Sequence, residues 1–278
     1  MKYAIVVSVS KTEFGPIVFR GNLEENIKLV KKLGYEAVEL AVKEPEKIDV
    51  FKVKNLLEES NLKAITFGTG QIYFDDGLSF SDKDRDIRSK AVYKTKKIID
   101  LAYNFNSSVI IGLIRGRIDN KTSDFKSEYE IAEKNIADCL KECLIYSENY
   151  CTDFLVEPIN RYETNIFNRI DEVVDFLDKF KDRLDVARIG ILADTFHMNI
   201  EEPVIEESIE RYIKYIKHIH FADSNRWAPG FGHIDFLKIY TILKSNNYDN
   251  FISFEMLPLP EPGISARKAL DYVKNLER

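Results

Sequence analysis

The sequence predicts an α/β fold, a single-domain (β/α)₈ barrel occupying residues 1–278. Three observations lead there. Eight short apolar runs alternate with longer amphipathic segments along the whole chain. Eight such units fit the length of 278 residues. No Pro-, Gly- or Ser-rich linker or low-complexity tract divides the chain, so one domain is expected. An open doubly wound sheet is the alternative, because one strand more or fewer would leave the barrel unclosed.

Taken in order, the first strand is Tyr3–Val9, whose apolar stretch is too short for a signal peptide. A helix over Asn22–Leu33 stops at Gly34, a residue suited to the left-handed C-terminal cap. Strand Ala37–Val42 precedes the amphipathic helix Val50–Glu59, and strand Ala64–Phe67 follows. The segment from Gly68 to Ser81 is the longest irregular stretch and carries Ile72, Tyr73, Phe74 and Phe80. It is read either as a lid over the barrel mouth or as an insertion packed on the surface. The long helix Asp84–Tyr103 leads to strand Val109–Leu113, and helix Tyr129–Tyr146 to strand Phe154–Glu157. Helix Asp171–Phe180, strand Ile189–Asp194, helix Ile205–Tyr215 and strand His218–Phe221 come next. Helix Phe236–Ser245, strand Phe251–Glu255 and helix Ala266–Leu276 complete the set.

Composition narrows the function. With 45% hydrophobic and 31% charged residues the chain reads as an ordinary globular protein. A net charge of −6 argues against a general nucleic-acid binder. No apolar run approaches the roughly 20 residues a membrane helix needs, so no membrane contact and a cytoplasmic location are expected. Cys139, Cys143 and Cys151 form no C-x-x-C pair and lack neighbouring histidines, so they read as buried reduced thiols and not a metal site. The sequons at Asn106 and Asn120 read as chance.

The chemistry gathers at strand ends. Asp194 alone reads as a cap for the turn that follows it, with His197 nearby. Strand five, however, ends in Glu157-Pro158, strand seven reads His218-Ile219-His220, and strand eight ends in Glu255. In a barrel these carboxyl ends meet at one mouth, where unscreened carboxylates would repel one another. One divalent ion on Glu157, Asp194, His220 and Glu255 resolves the conflict, and oxygen-rich ligation with one imidazole suits Mn²⁺, Mg²⁺ or Co²⁺. His218 and His220 face the same side of their strand at different depths, which leaves His218 as a deeper, hydrogen-bonded core residue. The loops beyond the ligands offer Asn160 to Glu163, His197 and Asp223 to Trp227, a polar lining suited to a polyhydroxylated molecule.

These residues carry a resemblance. Glu157-Pro158-Ile159-Asn160-Arg161-Tyr162-Glu163-Thr164-Asn165, the run Asp194 to Glu202, and His220 to Arg226 resemble the xylose-isomerase-like TIM-barrel superfamily, and within it the ketose 3-epimerases of D-tagatose and D-psicose type. The resemblance implies a Mn²⁺-type ion on the four ligands and substrate contacts from Glu163, His197 and Arg226. The stretches Gly68-Thr69-Gly70-Gln71, Ile110 to Arg117 and Ser224 to Gly230 are most similar to the 5-keto-L-gluconate epimerase branch, which acts on a keto-acid sugar in an inositol breakdown route. That adds Gln71 to the expected substrate contacts. It also raises Arg115, with Arg117 behind it, as a bidentate partner for a sugar carboxylate; the alternative is that these arginines face solvent or pair with acidic residues of the next helix. Barrels of this kind commonly form dimers or tetramers, so a homo-oligomer is expected.

Epimerisation needs a proton removed from one face of a carbon beside a ketone and one returned to the other. Glu157 and Glu255, on strands five and eight, are the expected acid/base pair, working through an enediolate that a divalent ion stabilises. Aldose–ketose isomerisation and inosose dehydration use the same scaffold and stay open. A DNA-repair endonuclease of this barrel type uses several metals and many histidines, and this chain has four, His197, His218, His220 and His233. A sugar-binding barrel without chemistry is the non-enzymatic reading.

Overall fold

A computed structural model of the chain describes residues 1–13, 15–119, 121–150 and 152–277. The readings of Cys151 as a buried thiol and of the Asn120 sequon lie outside these residues. Eight parallel strands close into a barrel in chain order. They are β1 (Lys2–Ser8), β2 (Ala37–Ala41), β3 (Lys63–Gly68), β4 (Ser108–Ile111), β5 (Phe154–Val156), β6 (Ile189–Asp194), β7 (Ile216–His220) and β8 (Phe251–Phe254). The helices are α1 (Leu23–Leu33), α2 (Val50–Glu59), α3 (Gly70–Asp76), α4 (Arg85–Phe105), α5 (Phe125–Tyr146), α6 (Ile170–Phe180), α7 (Thr195–Glu201), α8 (Ile205–Tyr212), α9 (Phe236–Ser245) and α10 (Pro262–Leu276). No described helix is long and apolar enough to cross a membrane.

Local chemistry explains the boundaries. Asn22, Asp49, Asp124 and Asp235 each accept a backbone N–H of the helix they start. The Asp124 cap begins α5 four residues before the apolar periodicity does, because a cap needs no apolar residue. Asn106, at φ 52°, ends α4 in the left-handed conformation that asparagine tolerates. Two short helices, α3 and α7, lie where patterning gave loops. Each is seven residues, too short for an amphipathic period to declare itself.

Strand alternation divides the core in two. Outward-facing residues such as Ile111, Val156, Ile191, Ala193, Ile219 and Phe254 belong to the large apolar layer beneath the helices. Ile110, Leu155 and Leu192 form a separate small cluster inside the barrel. The same alternation stacks Gly112 above Ile110, Glu157 above Leu155, Asp194 above Leu192, His220 above His218 and Glu255 above Ser253. The register sets Asp194 opposite His220 and His220 opposite Ser253, so the mouth residues of β6, β7 and β8 stand side by side. Cys139 and Cys143 are buried in α5, where burial pushes the Cys139 thiol up to about 12 and Cys143 higher still.

The segment from Gly68 to Ser81 packs against the barrel. Phe80 N–H donates to the Ile114 carbonyl at 2.8 Å and Ser81 N–H to that of Arg115 at 3.0 Å. Lys94 pairs with Asp76 at 2.5 Å and Lys43 with Asp75 at 3.4 Å. Its inner residues Gln71, Ile72 and Phe80 are buried, while Phe74 on the outer side is 54% exposed.

Candidate active site

The mouth cavity is lined by residues from every strand end except that of β6, whose helix α7 contributes His197. Glu157 and Asp194 are buried, and Glu255 is largely so. The His220 Nδ1 atom stands 3.5 Å from Asp194 Oδ2 and 3.7 Å from Glu157 Oε1. Those three atoms are buried and have no hydrogen-bond partner. Three unpaired acceptors facing one another cost several kcal/mol unless something positive sits among them. A divalent cation fits that requirement; without one a proton on His220 would meet part of it, since Glu39 and Asp194 outweigh burial and hold that imidazole well above its ordinary value.

Glu157, Asp194, His197 and Glu255 each offer an atom within 4.8 Å of the others. His197 and His220 thus compete for the imidazole position, and their hydrogen bonds separate them. Asn160 Oδ1 accepts the Tyr162 N–H at 3.0 Å, so its Nδ2 donates, to His197 Nδ1 at 2.7 Å and to Glu163 Oε1 at 3.0 Å. His197 Nε2 stands 4.0 Å from both Glu157 and Asp194 and 3.4 Å from Arg226 Nη2, a fixed positive charge that disfavours a cation at that nitrogen. Burial keeps this imidazole neutral, at about 4. His220 has the opposite arrangement. Its Nε2 donates to Glu39 Oε2 at 3.0 Å, which leaves the Nδ1 lone pair turned toward the carboxylates. The set that fits a divalent ion is therefore Glu157, Asp194, His220 and Glu255.

Glu39 was not singled out from sequence. Its carboxylate Oε2 also accepts from Thr66 Oγ1 at 2.7 Å and His218 Nε2 at 3.1 Å. Burial opposes its charge, but the two imidazoles hold it ionised, below the usual carboxylate range. With that oxygen filled by three donors, the Glu39–His218–His220 group is a hydrogen-bond hub that orients the ligand imidazole. The available signal was a lone carboxylate in the middle of the apolar strand Ala37-Val38-Glu39-Leu40-Ala41.

Asp194 serves twice. Its Oδ1 accepts the Phe196 N–H at 2.7 Å and the His197 N–H at 3.4 Å, capping α7, while Oδ2 faces the cavity. Capping and ligation are thus the work of two different oxygens. Although burial raises its pKa, His197, His220 and Arg226 outweigh that and hold it at about 2. The two glutamates differ. Burial and then Glu255 hold Glu157 well above its ordinary value, and burial pushes Glu255 up to about 7 against the pull of Arg226. Arg226 donates to Glu255 Oε2 and to Glu163 Oε1, both at 3.0 Å, and lies 4.7 Å over the Phe196 ring. The φ of Arg226 is +61°, and its loop is folded around Asp223, whose carboxylate accepts the N–H groups of Ser224, Gly230 and Ile234. Asp223 is thus spent on its own loop. Gln71, on α3, lines the cavity with both carboxamide atoms buried and unpartnered.

Arg115 requires a correction. It does not face the cavity as a carboxylate partner. It is 1% exposed, and its guanidinium donates to the backbone carbonyls of Ile111, Glu157, Ile166 and Phe167. The loop from Thr164 to Phe167 folds over it and supplies both carbonyls of Nη2, while Nη1 bonds to Ile111 and Glu157 and Nε has no partner. Arg117 is exposed and lines a separate surface depression with Ser81 and Lys83.

The fold and the site together define a TIM-barrel enzyme with a candidate divalent-metal centre at its carboxyl-end mouth. A profile of the xylose isomerase-like TIM barrel family matches residues 27–276, and the chain belongs to that family. It is 28% identical over 224 residues to the L-ribulose 3-epimerase of Methylomonas sp. (strain DH-1), covering 81% of this chain and 74% of that enzyme. It is 29% identical over 237 residues to the D-psicose 3-epimerase of Ruminiclostridium cellulolyticum, covering 82% and 76%. The crystal structure of 3-keto-D-glucoside 4-epimerase from E. coli superposes with a TM-score of 0.81 at 20% identity, over 99% of this chain and 100% of that one. By these relatives the chain is an isomerase, of the epimerase class.

Proposed function

We propose that this enzyme inverts C3 of a ketose or keto-sugar acid, with the pair 5-keto-L-gluconate and D-tagaturonate, in inositol breakdown, as the particular substrates. The observation that carries the reaction type is the meeting of Glu157 and Glu255, both with raised pKa values, beside three unpartnered ligand atoms. Glu157, Asp194, His220 and Glu255 would hold a divalent ion, Mn²⁺ foremost, which when bound would supply the Lewis acidity that makes a C–H beside a ketone acidic. One glutamate takes the C3 proton, and the other, on a different side of the mouth, returns one to the opposite face of the enediolate. The roles exchange in the reverse direction. His197 lines the cavity as a contact for a substrate oxygen, and Arg226 keeps the Glu255 carboxylate aimed. Glu163 holds Arg226 and, through Asn160, His197. Gln71 supplies an uncommitted donor and acceptor for the far end of the sugar.

The preference for an acid rests on the sequence likeness at residues 68–71, 110–117 and 224–230. With Arg115 buried, Gln71 and the unpartnered Nε of Arg226 are what the cavity offers a carboxylate. The test is C3-proton exchange in D₂O, followed by NMR across neutral ketohexoses and keto-uronates. Glu157→Gln and Glu255→Gln are each expected to lose about 10²–10⁴-fold in exchange rate. Full activity in either variant defeats the two-carboxylate mechanism, and exchange at C2 or C4 reassigns the reaction.

A further inference from the structure

Arg115 is a buried guanidinium without a carboxylate partner, stacked 5.6 Å from the Phe167 ring centroid. What it holds is the backbone of Glu157. The ladder between β4 and β5 ends where the Glu157 N–H donates to the Ile111 carbonyl at 3.2 Å. The next group on this strand that faces β4 is the Glu157 carbonyl, because the N–H and C=O of one residue point to the same side. The guanidinium takes over at that point. Its Nη1 donates to the same Ile111 carbonyl at 3.1 Å and to the carbonyl of Glu157 itself. Its Nη2 reaches the carbonyls of Ile166 at 3.2 Å and Phe167 at 3.4 Å. The peptide groups on both sides of the Glu157 Cα are thereby tied to the end of β4.

The other end of the same turn lies beside the carboxylate. Arg115 N–H donates to the Gly112 carbonyl at 3.1 Å, closing the turn. A Cβ at Gly112 would stand 2.8 Å from Glu157 Oε2, closer than ordinary contact allows. Gly112 therefore leaves the space that the carboxylate occupies, and Arg115 fixes the backbone that carries it.

We propose that the Gly112–Arg115 turn is a positioning clamp for Glu157, holding its backbone through Arg115 and leaving room for its carboxylate at Gly112. The clamp rests on the reading of Glu157 as metal ligand and acid/base, and Arg115 acts through Glu157 without touching substrate. The experiment compares metal-stripped wild type with Arg115→Lys, Gly112→Ala and Arg188→Lys. Arg188 is a matched control: it too donates to backbone carbonyls, those of Leu144, Ser147 and Thr152, but just before β6, away from the mouth. The Kd for Mn²⁺ alone is read from the free-ion EPR signal, and kcat and KM are measured on D-tagatose. Arg115→Lys and Gly112→Ala are each expected to weaken Mn²⁺ binding by about tenfold or more. The kcat should fall while KM moves little. Arg188→Lys is expected to lower Tm and leave the Mn²⁺ affinity as in wild type. Wild-type Mn²⁺ affinity in either folded mouth variant overturns the clamp. Gly112→Ala removes no hydrogen bond, so it decides alone if Arg115→Lys does not fold. An inactive wild type that binds Mn²⁺ would defeat the epimerase reading and still leave the clamp tested by affinity.

Discussion

The Glu39 carboxylate borders the mouth cavity, and through its bond to Nε2 it decides which nitrogen of His220 faces Asp194 and Glu157. Removing its charge while keeping its shape isolates that role. Glu39→Gln is expected to fold and to weaken Mn²⁺ binding by about 10–100-fold, measured by titration of metal-stripped protein. The raised Glu255 gives a second expectation, with a definite sign. A carboxyl whose folded value lies near 7, against an ordinary 4.5, binds its proton more tightly in the folded protein. Its contribution to stability is present below pH 4.5 and is lost as pH rises through about 7. In the metal-free protein this component should therefore lower Tm between pH 4.5 and 7, and Glu255→Gln should remove it. The same proton competes with the ion, so Mn²⁺ affinity should fall as pH drops below 7. A pH series of melts with and without EDTA checks both. At this scale Glu157, Asp194 and Glu255 were legible, because a carboxylate ending an apolar strand is conspicuous. Glu39 was not, because its partners come from β3 and β7 and lie far away in sequence. Arg115 misled for a related reason: a charged residue after a strand reads as mouth-facing until the loop at 164–167 is seen covering it.

The elements at the mouth are joined by tight turns with specific backbone demands. Gly116, at φ +84°, lets the turn after β4 meet the segment at 79–81, and a Cβ there would lie 2.6 Å from the Ser79 Cβ. Gly116→Ala is expected to cost about 1–3 kcal/mol in urea unfolding, from left-handed strain and this contact together. Because that segment leads back to α3, the variant should also raise KM for sugar through Gln71; an unchanged KM would separate α3 from the substrate. The helices long enough to show a period were readable, with ends set by Asn22, Asp49, Asp124 and Asp235 as caps. The seven-residue α3 and α7 were not, since their apolar residues are too few to define a face.

At the scale of the molecule, the barrel gathers residues from most of its strand ends into one small volume, and ion binding there couples to global stability. Mn²⁺ at about a hundred times its Kd is expected to stabilise the fold by about 2.7 kcal/mol, or about 5–10 °C in Tm, reversed by EDTA. Absence of any shift would argue against a resident cation. The surface ion pairs, such as Lys28–Glu24 and Lys47–Glu44, are well exposed and contribute little, so moderate salt should leave Tm nearly unchanged.

The sequence by itself determined the alternation of strands and helices, the number of strands, and the carboxylates and imidazole that end strands five to eight, because each is a local pattern with a period or a cap to mark it. Tertiary structure alone decided three things. It set the hydrogen-bond partners of the two imidazoles, Glu39 for His220 and Asn160 for His197. It divided the two oxygens of Asp194 between cap and cavity. It turned Arg115 from the substrate side to the underside of Glu157. Each depends on which buried polar atoms find partners across the barrel, and no stretch of neighbouring residues carries that information.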